Sequence, residues 1–163
     1  MATIKNNQGK ITPCLWYNTN AEEAVDFYMS VFKKSKKKKV ARYGKGAPMP
    51  EGTVLTVSFT LNGQDFLALN GGPDFNFTEA VSFIVNCKTQ KEIDYYWENL
   101  SRGGTKNVCG WLKDKFGLSW QVAPEKIGEM LTDKNPERSS RVMQAVLRMK
   151  KPVIKDLEEA YYG

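Results

Sequence analysis

In ITPCLWYNTNAEEAVDFYMSVF (residues 11–32), a strand-like segment leads directly into an amphipathic helix, and this order is the basis of the fold prediction. Residues 11–18 are typical of a β-strand, and Asn20, with Glu23 three residues later, is a candidate helix N-cap. Four apolar residues then recur at the i, i+3, i+4, i+7 spacing of one helix face: Val25, Tyr28, Met29 and Phe32. The stretch therefore predicts a strand followed by a helix with one buried face.

The same pattern returns further along the chain, in AVSFIVNCKTQKEIDYYWENL (residues 80–100). A strand-like run is followed by Thr89 and Glu92, which have the spacing of a capping box. The apolar face of this second helix is the first face shifted by 68 residues: Ile93, Tyr96, Trp97 and Leu100. The Gly103-Gly104 pair predicts the end of the helix.

A hairpin follows each helix. TVLTVSFTL (53–61) alternates apolar and polar residues, and Asn62-Gly63 is the preferred two-residue hairpin turn before the return strand 64–70. WLKDKFGLSWQVAP (111–124) repeats this arrangement, with Gly117 in the place of Gly63. The recurrence of strand, helix and hairpin in one order indicates two copies of a strand–helix–strand–strand–strand unit.

The rest of the chain completes the domain prediction. We expect a flexible N-terminus over residues 1–10, a paired domain over 11–124 with units 11–72 and 79–124, and a helical C-terminal extension of the same domain over 125–163. In the extension, Asn135-Pro136 predicts the start of one helix and Asp156 the start of a last one. We interpret Lys113-Asp114-Lys115 as solvated charges in the second hairpin turn.

Composition excludes several classes of function. The chain contains no histidine, which rules out a Ser-His-Asp triad, a Cys-His dyad and the ordinary catalytic zinc site. Its three cysteines, Cys14, Cys87 and Cys109, are far apart and form no CxxC motif, so a reducing cytoplasm is the expected compartment. No apolar run approaches the roughly 20 residues of a membrane span, and we expect no membrane partner.

The net charge of +6 has a local origin. Six of the 24 basic residues are the lysines of KKSKKKK (residues 33–39), and the remaining 18 balance the 18 acidic residues. A nucleic-acid surface distributes Lys and Arg over a whole face, usually with aromatic residues between them. The pattern favours a solvated strand edge or turn over nucleic-acid binding, and a short strand is predicted near Val40 to Tyr43.

Three segments carry a resemblance to a known family: residues 11–32, CGWLKDKFGLSWQ within 109–124, and RVMQAVLRMKKPVIKDLEEAYYG at 141–163. Together they resemble the vicinal oxygen chelate superfamily of glyoxalases, bleomycin resistance proteins and dioxygenases. The nearest branch is PhnB-like and often named 3-demethylubiquinone-9 3-methyltransferase. The resemblance implies an α+β fold, in which duplicated βαβββ units form two curved mixed sheets around a cup, plus C-terminal helices. It also implies a homodimer.

The cofactors associated with this superfamily are not expected here. Its metal-ligand positions fall on four places in this chain: Thr12 or Pro13, Leu67 or Ala68, Ala80 or Val81, and Gln121. These provide at most one weak oxygen donor, whereas Mg²⁺, Mn²⁺ and Fe²⁺ need several hard or imidazole donors. The glycine pair before Pro73 is not followed by a helical pattern, so it does not indicate a methyl-donor site of the Rossmann type. We therefore expect no metal and no cofactor.

Residues at alternate strand positions would line the cup that the resemblance implies. We select as ligand-binding candidates Thr12, Cys14, Trp16, Asn70, Ser82, Cys109, Trp111 and Gln121. Such a lining suits a small, partly aromatic or lipophilic molecule. The alternative interpretation is that Trp16 and Trp120 are core residues, which is the commoner role of a single tryptophan.

The main hypothesis is a metal-independent small-molecule binding protein. The alternatives are an enzyme of the same superfamily (a lyase, isomerase or dioxygenase-like protein, or the nominal methyltransferase) using Gln121 or a Cys109 nucleophile, and a dimeric scaffold or nucleic-acid binder without a ligand.

Overall fold

The computed structural model describes residues 11–163, and the prediction of a flexible segment 1–10 lies outside them. The chain divides into two compact units, the first ending at Asn76 and the second spanning Phe77–Gly163. Each unit contains one four-stranded sheet and a helix that packs on it.

The first unit has the element order predicted from the sequence. Its elements are β1 Cys14–Tyr17, α1 Ala21–Val31, β2 Ser35–Arg42, β3 Val54–Leu61 and β4 Gln64–Asn70. The sheet order is β1-β4-β3-β2, with β1 parallel to β4 and the other pairs antiparallel. Asn62 and Gly63 join β3 to β4 with φ values of 47° and 86°, which is the left-handed geometry that the Asn-Gly turn predicts.

The second unit repeats this topology. Its elements are β5 Ser82–Cys87, α2 Gln90–Leu100, β6 Thr105–Lys106, β7 Trp111–Lys113 and β8 Ser119–Pro124. The sheet order β5-β8-β7-β6 has the same pattern of directions as the first sheet. The α+β class and the duplicated βαβββ units are therefore confirmed.

Three helices follow in the second unit: α3 Ile127–Leu131, α4 Pro136–Arg148 and α5 Ile154–Tyr162. Asn135 caps α4 as predicted, because its Oδ1 accepts hydrogen bonds from the backbone N–H groups of Glu137 and Arg138. The last helix starts at Ile154, two residues before the predicted Asp156. Within residues 11–163, no helix has both the length and the apolar composition that crossing a membrane requires.

One face of each sheet is covered by the helix of its own unit. In the first unit, Val57, Phe59 and Leu61 alternate along β3 and are buried on the side of α1, with the Phe59 and Tyr28 rings stacked 6.4 Å apart. In the second unit, Ile93, Trp97 and Leu100 form the buried face of α2, which packs on β5, β7 and β8.

We call the opposite side of each sheet its distal face. By strand alternation and register, the distal face of the first sheet includes Cys14, Trp16, Ser58, Leu67 and Leu69. That of the second includes Ser82, Ile84, Trp111, Ser119 and Gln121.

Four of the six lysines of the run, residues 36–39, lie in the edge strand β2, as the strand-edge interpretation predicts, and the strand is longer than expected. A register shift between Lys37 and Lys39 marks a bulge, and Lys38 forms a 2.6 Å ion pair with Asp65. Lys37 pairs with Asp26 at 2.6 Å. A pattern of consecutive lysines does not alternate, so sequence periodicity alone could not show this strand.

The two helix starts differ in how they are capped. The predicted capping box of α2 is present, since the Thr89 hydroxyl accepts from the backbone of Glu92 and the Glu92 carboxylate accepts from the backbone of Thr89. Asn20 occupies the N-cap position of α1 as predicted, but its side chain makes no capping hydrogen bond. Instead, Oδ1 of Asn70 accepts from the backbone N–H of Ala21 at 2.9 Å.

Candidate functional site

Five of the eight predicted binding residues lie on the distal faces. Cys14 and Trp16 are on the first sheet, and Ser82, Trp111 and Gln121 are on the second. Thr12 precedes β1 and is half-buried. Asn70 and Cys109 are placed elsewhere.

On the first sheet, Trp16 is held by the glycine pair that follows β4. Its Nε1 donates a 2.9 Å hydrogen bond to the carbonyl of Gly72, and its ring lies so close to Gly71 that a Cβ there would overlap Cζ2. The Phe75 ring meets it edge-on, with centroids 5.0 Å apart. Trp16 is therefore a fixed, half-buried aromatic surface.

Cys14 lies two residues before Trp16, and partial burial of its thiol raises the pKa of that group above its ordinary value. A raised pKa keeps the thiol protonated near neutral pH, so Cys14 contributes a small, weakly polar surface and no nucleophile.

Asn70 is on the helix-covered side of β4 and is 5% exposed. Its Oδ1 accepts from Ala21 and its Nδ2 donates to the carbonyl of Val54 at 3.0 Å. Both ends of the amide are thus used to fasten the start of α1 and the start of β3 to the end of β4. The structure gives Asn70 a place in the core of the first unit.

On the second sheet, Gln121 and Ser82 form a polar pair across two parallel strands. Nε2 of Gln121 donates a 2.9 Å hydrogen bond to the Ser82 hydroxyl. Gln121 is in register with Ile84 on β5 and with Trp111 on β7. Ile84 is 56% exposed and Trp111 is half-buried, so the amide lies between an aliphatic and an aromatic side chain that are both accessible.

Ser119 adds a polar atom that was not among the predicted site residues. It shares the distal face with Gln121 and is in register with Ser82 and Lys113. Its hydroxyl is fully buried and has no hydrogen-bond partner among the residues that the structure describes. Strand alternation places it beside Gln121, but no sequence pattern predicts that a serine hydroxyl remains unpaired.

An ion pair lies at the end of this face. Lys113 on β7 is the register partner of Ser119 on β8, and its ammonium nitrogen lies 2.6 Å from the Glu79 carboxylate. The hydrogen bond from Lys113 holds the pKa of Glu79 below its usual value. The pair is open to solvent, so we assign it no role in proton transfer.

Cys109 belongs to the loop before β7 and is not on a strand of the distal face. Its backbone is left-handed, with φ of 58°, and its N–H donates to the carbonyl of Met149 at 2.8 Å. It borders a cavity of about 40 Å³ together with apolar residues of the C-terminal segment, Met149 and Pro152 among them. The other residues that line this cavity are all apolar, whereas a nucleophilic cysteine needs a cationic neighbour or a helix N-terminus.

The residues present do not fit a metal of the superfamily type. Among residues 11–163, no three His, Cys, Asp or Glu side chains are grouped so that they could hold a metal ion. Leu67 and Ala68, at one expected ligand position, are apolar residues in the middle of β4. Gln121 alone supplies a side-chain oxygen at a last-strand position, which is too few donors for a hard divalent cation.

The fold also does not fit the methyl-donor site that the methyltransferase name implies. Both sheets are mixed, whereas the Rossmann arrangement needs a parallel sheet and a helix that opens directly after the glycine-rich turn. After Gly71-Gly72 the chain enters a turn and irregular structure and then β5. We derive no step through a methyl donor.

The fold and the positions of the distal-face residues define the class of protein. Two βαβββ units of the same sheet order are the architecture of the vicinal oxygen chelate superfamily, to which glyoxalases and bleomycin resistance proteins belong. Within it, the family model described as 3-demethylubiquinone-9 3-methyltransferase matches residues 9–123, and the chain belongs to this PhnB-like family.

Solved structures agree with this assignment. A PhnB protein from Bacillus cereus, described as a 3-demethylubiquinone-9 3-methyltransferase, is 38% identical; the match covers 71% of this chain and 99% of that one, with a TM-score of 0.65. Protein PA1353 from Pseudomonas aeruginosa is 19% identical over 72% and 98% of the two chains, with a TM-score of 0.60.

The fosfomycin resistance protein FosX from Mesorhizobium loti is 11% identical over 79% of this chain and 98% of its own, with a TM-score of 0.55, and shows the shared fold. No curated protein matches the chain.

Proposed function

We propose that the protein binds a small, partly aromatic or lipophilic molecule on the distal face of the second sheet, without a bound metal ion. The main observation behind this proposal is the hydrogen bond from Gln121 to Ser82. The Gln121 amide is flanked by the accessible side chains of Ile84 and Trp111. The bond uses Nε2 of Gln121 and leaves its Oε1 without a partner among the described residues.

The composition of this face supports a small-molecule site. Ligand pockets are lined mainly by apolar and aromatic side chains, with a few positioned polar groups that fix orientation. Trp111 and Ile84 supply the apolar surface, and Gln121 supplies an acceptor for a ligand N–H or O–H. The Ser119 hydroxyl on the same face is fully buried, so Gln121 is the polar group that the ligand can reach there.

Binding is favoured over catalysis because the face offers no group suited to proton transfer. Ser82, Ile84, Trp111 and Gln121 do not titrate near neutral pH, and Cys109 is in the loop before β7 and not on a strand of this face. We therefore propose that the protein holds or sequesters its ligand, and no observation favours the enzyme alternative specifically.

The test is a titration of the full chain with benzamide and 1-naphthamide, whose amides complement Gln121 and whose rings complement Trp111. We expect a saturable shift of the Trp111 indole N–H resonance that EDTA leaves unchanged. Gln121→Ala removes one hydrogen bond, worth about 1 kcal/mol, and should weaken binding roughly five- to ten-fold.

Gln144→Ala is the matched control, because Gln144 is exposed on α4 and does not belong to the second sheet. The proposal fails if no probe moves the Trp111 resonance, if binding requires a divalent metal, or if the two variants bind alike.

Three further expectations stay predictions: a homodimer, a cytoplasmic location and the absence of nucleic-acid binding. For the dimer, α4 offers Met143 and Leu147, which are one helical turn apart and 44% and 63% exposed. Sedimentation equilibrium of the full chain measures the association directly, and a Leu147→Glu variant should shift it toward monomer.

A further inference from the structure

A second cavity lies in the second unit, where the C-terminal helices meet the ends of β5 and β8. It has a volume of about 210 Å³. Its apolar walls are formed by Cys87, Pro124, Met130, Ile154 and Leu157. All of these except Cys87 follow residue 123, where the match to the family model ends. The cavity is therefore built mainly by the C-terminal segment of this chain.

We propose that this cavity binds a small amphipathic organic molecule, with a single aromatic ring or a short alkyl chain inside and an uncharged polar head at the opening. Cys87 and Pro124 are on the α2 side of the second sheet, opposite Gln121. The cavity is thus separate from the distal-face site, and the proposal does not depend on the function assigned to that site.

The volume suits one ring and a small head group. An apolar cavity of roughly 150 Å³ stays dry and takes up benzene in another protein, and this one is larger. Leu157 and Pro124 are buried and give it fixed apolar walls. Burial also raises the pKa of the Cys87 thiol to about 12, so this side chain stays uncharged and acts as part of the apolar wall.

Hydrogen bonds hold the walls in place without a ligand. The N–H of Glu125 donates to the carbonyl of Cys87 at 2.8 Å, which joins the ends of β8 and β5. The Gln90 side chain accepts from the N–H of Ile154 at 2.9 Å and donates to the carbonyl of Pro152 at 3.1 Å. These bonds fasten the start of α5 to the start of α2, so the cavity is preformed, which lowers the entropic cost of binding.

The charges around the cavity argue for an uncharged head. Lys88 and Lys126 contribute two positive charges, and Glu125 and Glu158 contribute two negative charges. Because the signs balance, a ligand with net charge meets a like-charged side chain as well as an opposite one. A hydroxyl or amide head can hydrogen-bond to either kind of side chain at no electrostatic cost.

The experiment is a titration of the full chain with benzyl alcohol, followed by methyl-detected NMR, with benzoate and benzylamine as charged analogues. We expect saturable shifts and intermolecular NOEs at the methyl groups of Met130, Ile154 and Leu157, with no shift of the Trp111 indole N–H. Each charged analogue should bind at least three-fold more weakly.

Met130→Trp is expected to fill the cavity and weaken benzyl alcohol binding at least ten-fold. Met49→Trp makes the same change in the loop between β2 and β3 of the first unit, outside the cavity, and should leave binding unchanged. If Met130→Trp does not fold, the intermolecular NOEs of the unmodified chain test whether benzyl alcohol occupies the cavity. The proposal is overturned by NOEs to residues outside the cavity, by the absence of saturable shifts, by tighter binding of a charged analogue, or by a folded Met130→Trp variant that binds normally.

Discussion

Asp114 accepts a 2.9 Å hydrogen bond on Oδ2 from the indole Nε1 of Trp120, and both residues are buried, each 3% exposed. Its Oδ1 accepts from the backbone N–H groups of Phe116 and Leu118 at 2.9 and 3.1 Å. One carboxylate thus organises the turn between β7 and β8 and ties it to a core tryptophan. The interpretation of Asp114 as a solvated turn charge is wrong.

Asp114→Ala should destabilise the protein by about 3 kcal/mol or more. The substitution leaves the Trp120 N–H and two backbone N–H groups without their charged acceptor, and hydrogen bonds to charged groups contribute roughly 1.5–3 kcal/mol each. Urea unfolding followed by circular dichroism measures the loss. Asp74→Ala removes an exposed carboxylate and serves as the control, and equal midpoints for the two variants would contradict the role of Asp114.

Asn70→Ala should cost about 2 kcal/mol, because the N–H of Ala21 and the carbonyl of Val54 lose their side-chain partner in the core. Hydrogen exchange should accelerate most in the first turn of α1. Asn76→Ala, at an exposed position, is the matched control. An Asn70→Ala variant of unchanged stability would mean that another group caps α1.

Gly71→Ala should destabilise the first unit by roughly 1–3 kcal/mol, as overpacking does, because the new methyl group would overlap the Trp16 ring. The ring must move, so the Trp16 indole N–H resonance should shift as its bond to Gly72 breaks. Gly128→Ala is the control, since a Cβ at Gly128 meets no atom within 4 Å. Equal effects of the two substitutions would show that Trp16 is not held by Gly71.

We expect the free energy of unfolding to fall at alkaline pH because of the buried Cys87 thiol. Burial raises its pKa in the folded protein from 9.0 to about 12, so the stability that the neutral thiol contributes is fully present below pH 9. This contribution declines by at most about 1.4 kcal/mol per pH unit as the pH rises from 9 toward 12. The reason is that the Cys87 thiol ionises at lower pH in the unfolded chain than in the folded protein. The difference in unfolding free energy between the unmodified chain and Cys87→Ala should therefore narrow above pH 9, and a constant difference would contradict the shift.

The lysines of β2 should keep this edge strand from pairing with other chains. Replacing Lys36 and Lys39 with threonine removes two exposed charges from the edge and raises its β-propensity. Light scattering should then show concentration-dependent aggregation. Lys45→Thr with Lys134→Thr removes the same charge from exposed positions outside the strands, and aggregation of both double variants alike would indicate an effect of net charge alone.

Local patterns in the sequence predicted most of the elements. The two apolar helix faces, the alternation in β3, the Asn-Gly turn and the Thr89–Glu92 capping box each depend on residues a few positions apart. Their repetition in the same order predicted the duplicated topology. Alternation along β1 placed Trp16 and Cys14 on one face, whereas grouping Gln121 with Ser82 also needed the cup that the family resemblance implies. Such periodicities are visible because secondary structure repeats over two to four residues.

The tertiary structure decided which polar side chains are used inside the protein and which remain available. Asn70 caps a helix that begins 49 residues earlier in the chain, in place of the local candidate Asn20. Asp114, between two lysines in the sequence, is buried because Trp120 lies over its turn. The cavity beside Cys87 joins segments more than 60 residues apart. A buried polar group takes whichever partner packing brings within about 3 Å, and that distance depends on the folded chain and not on the neighbouring sequence.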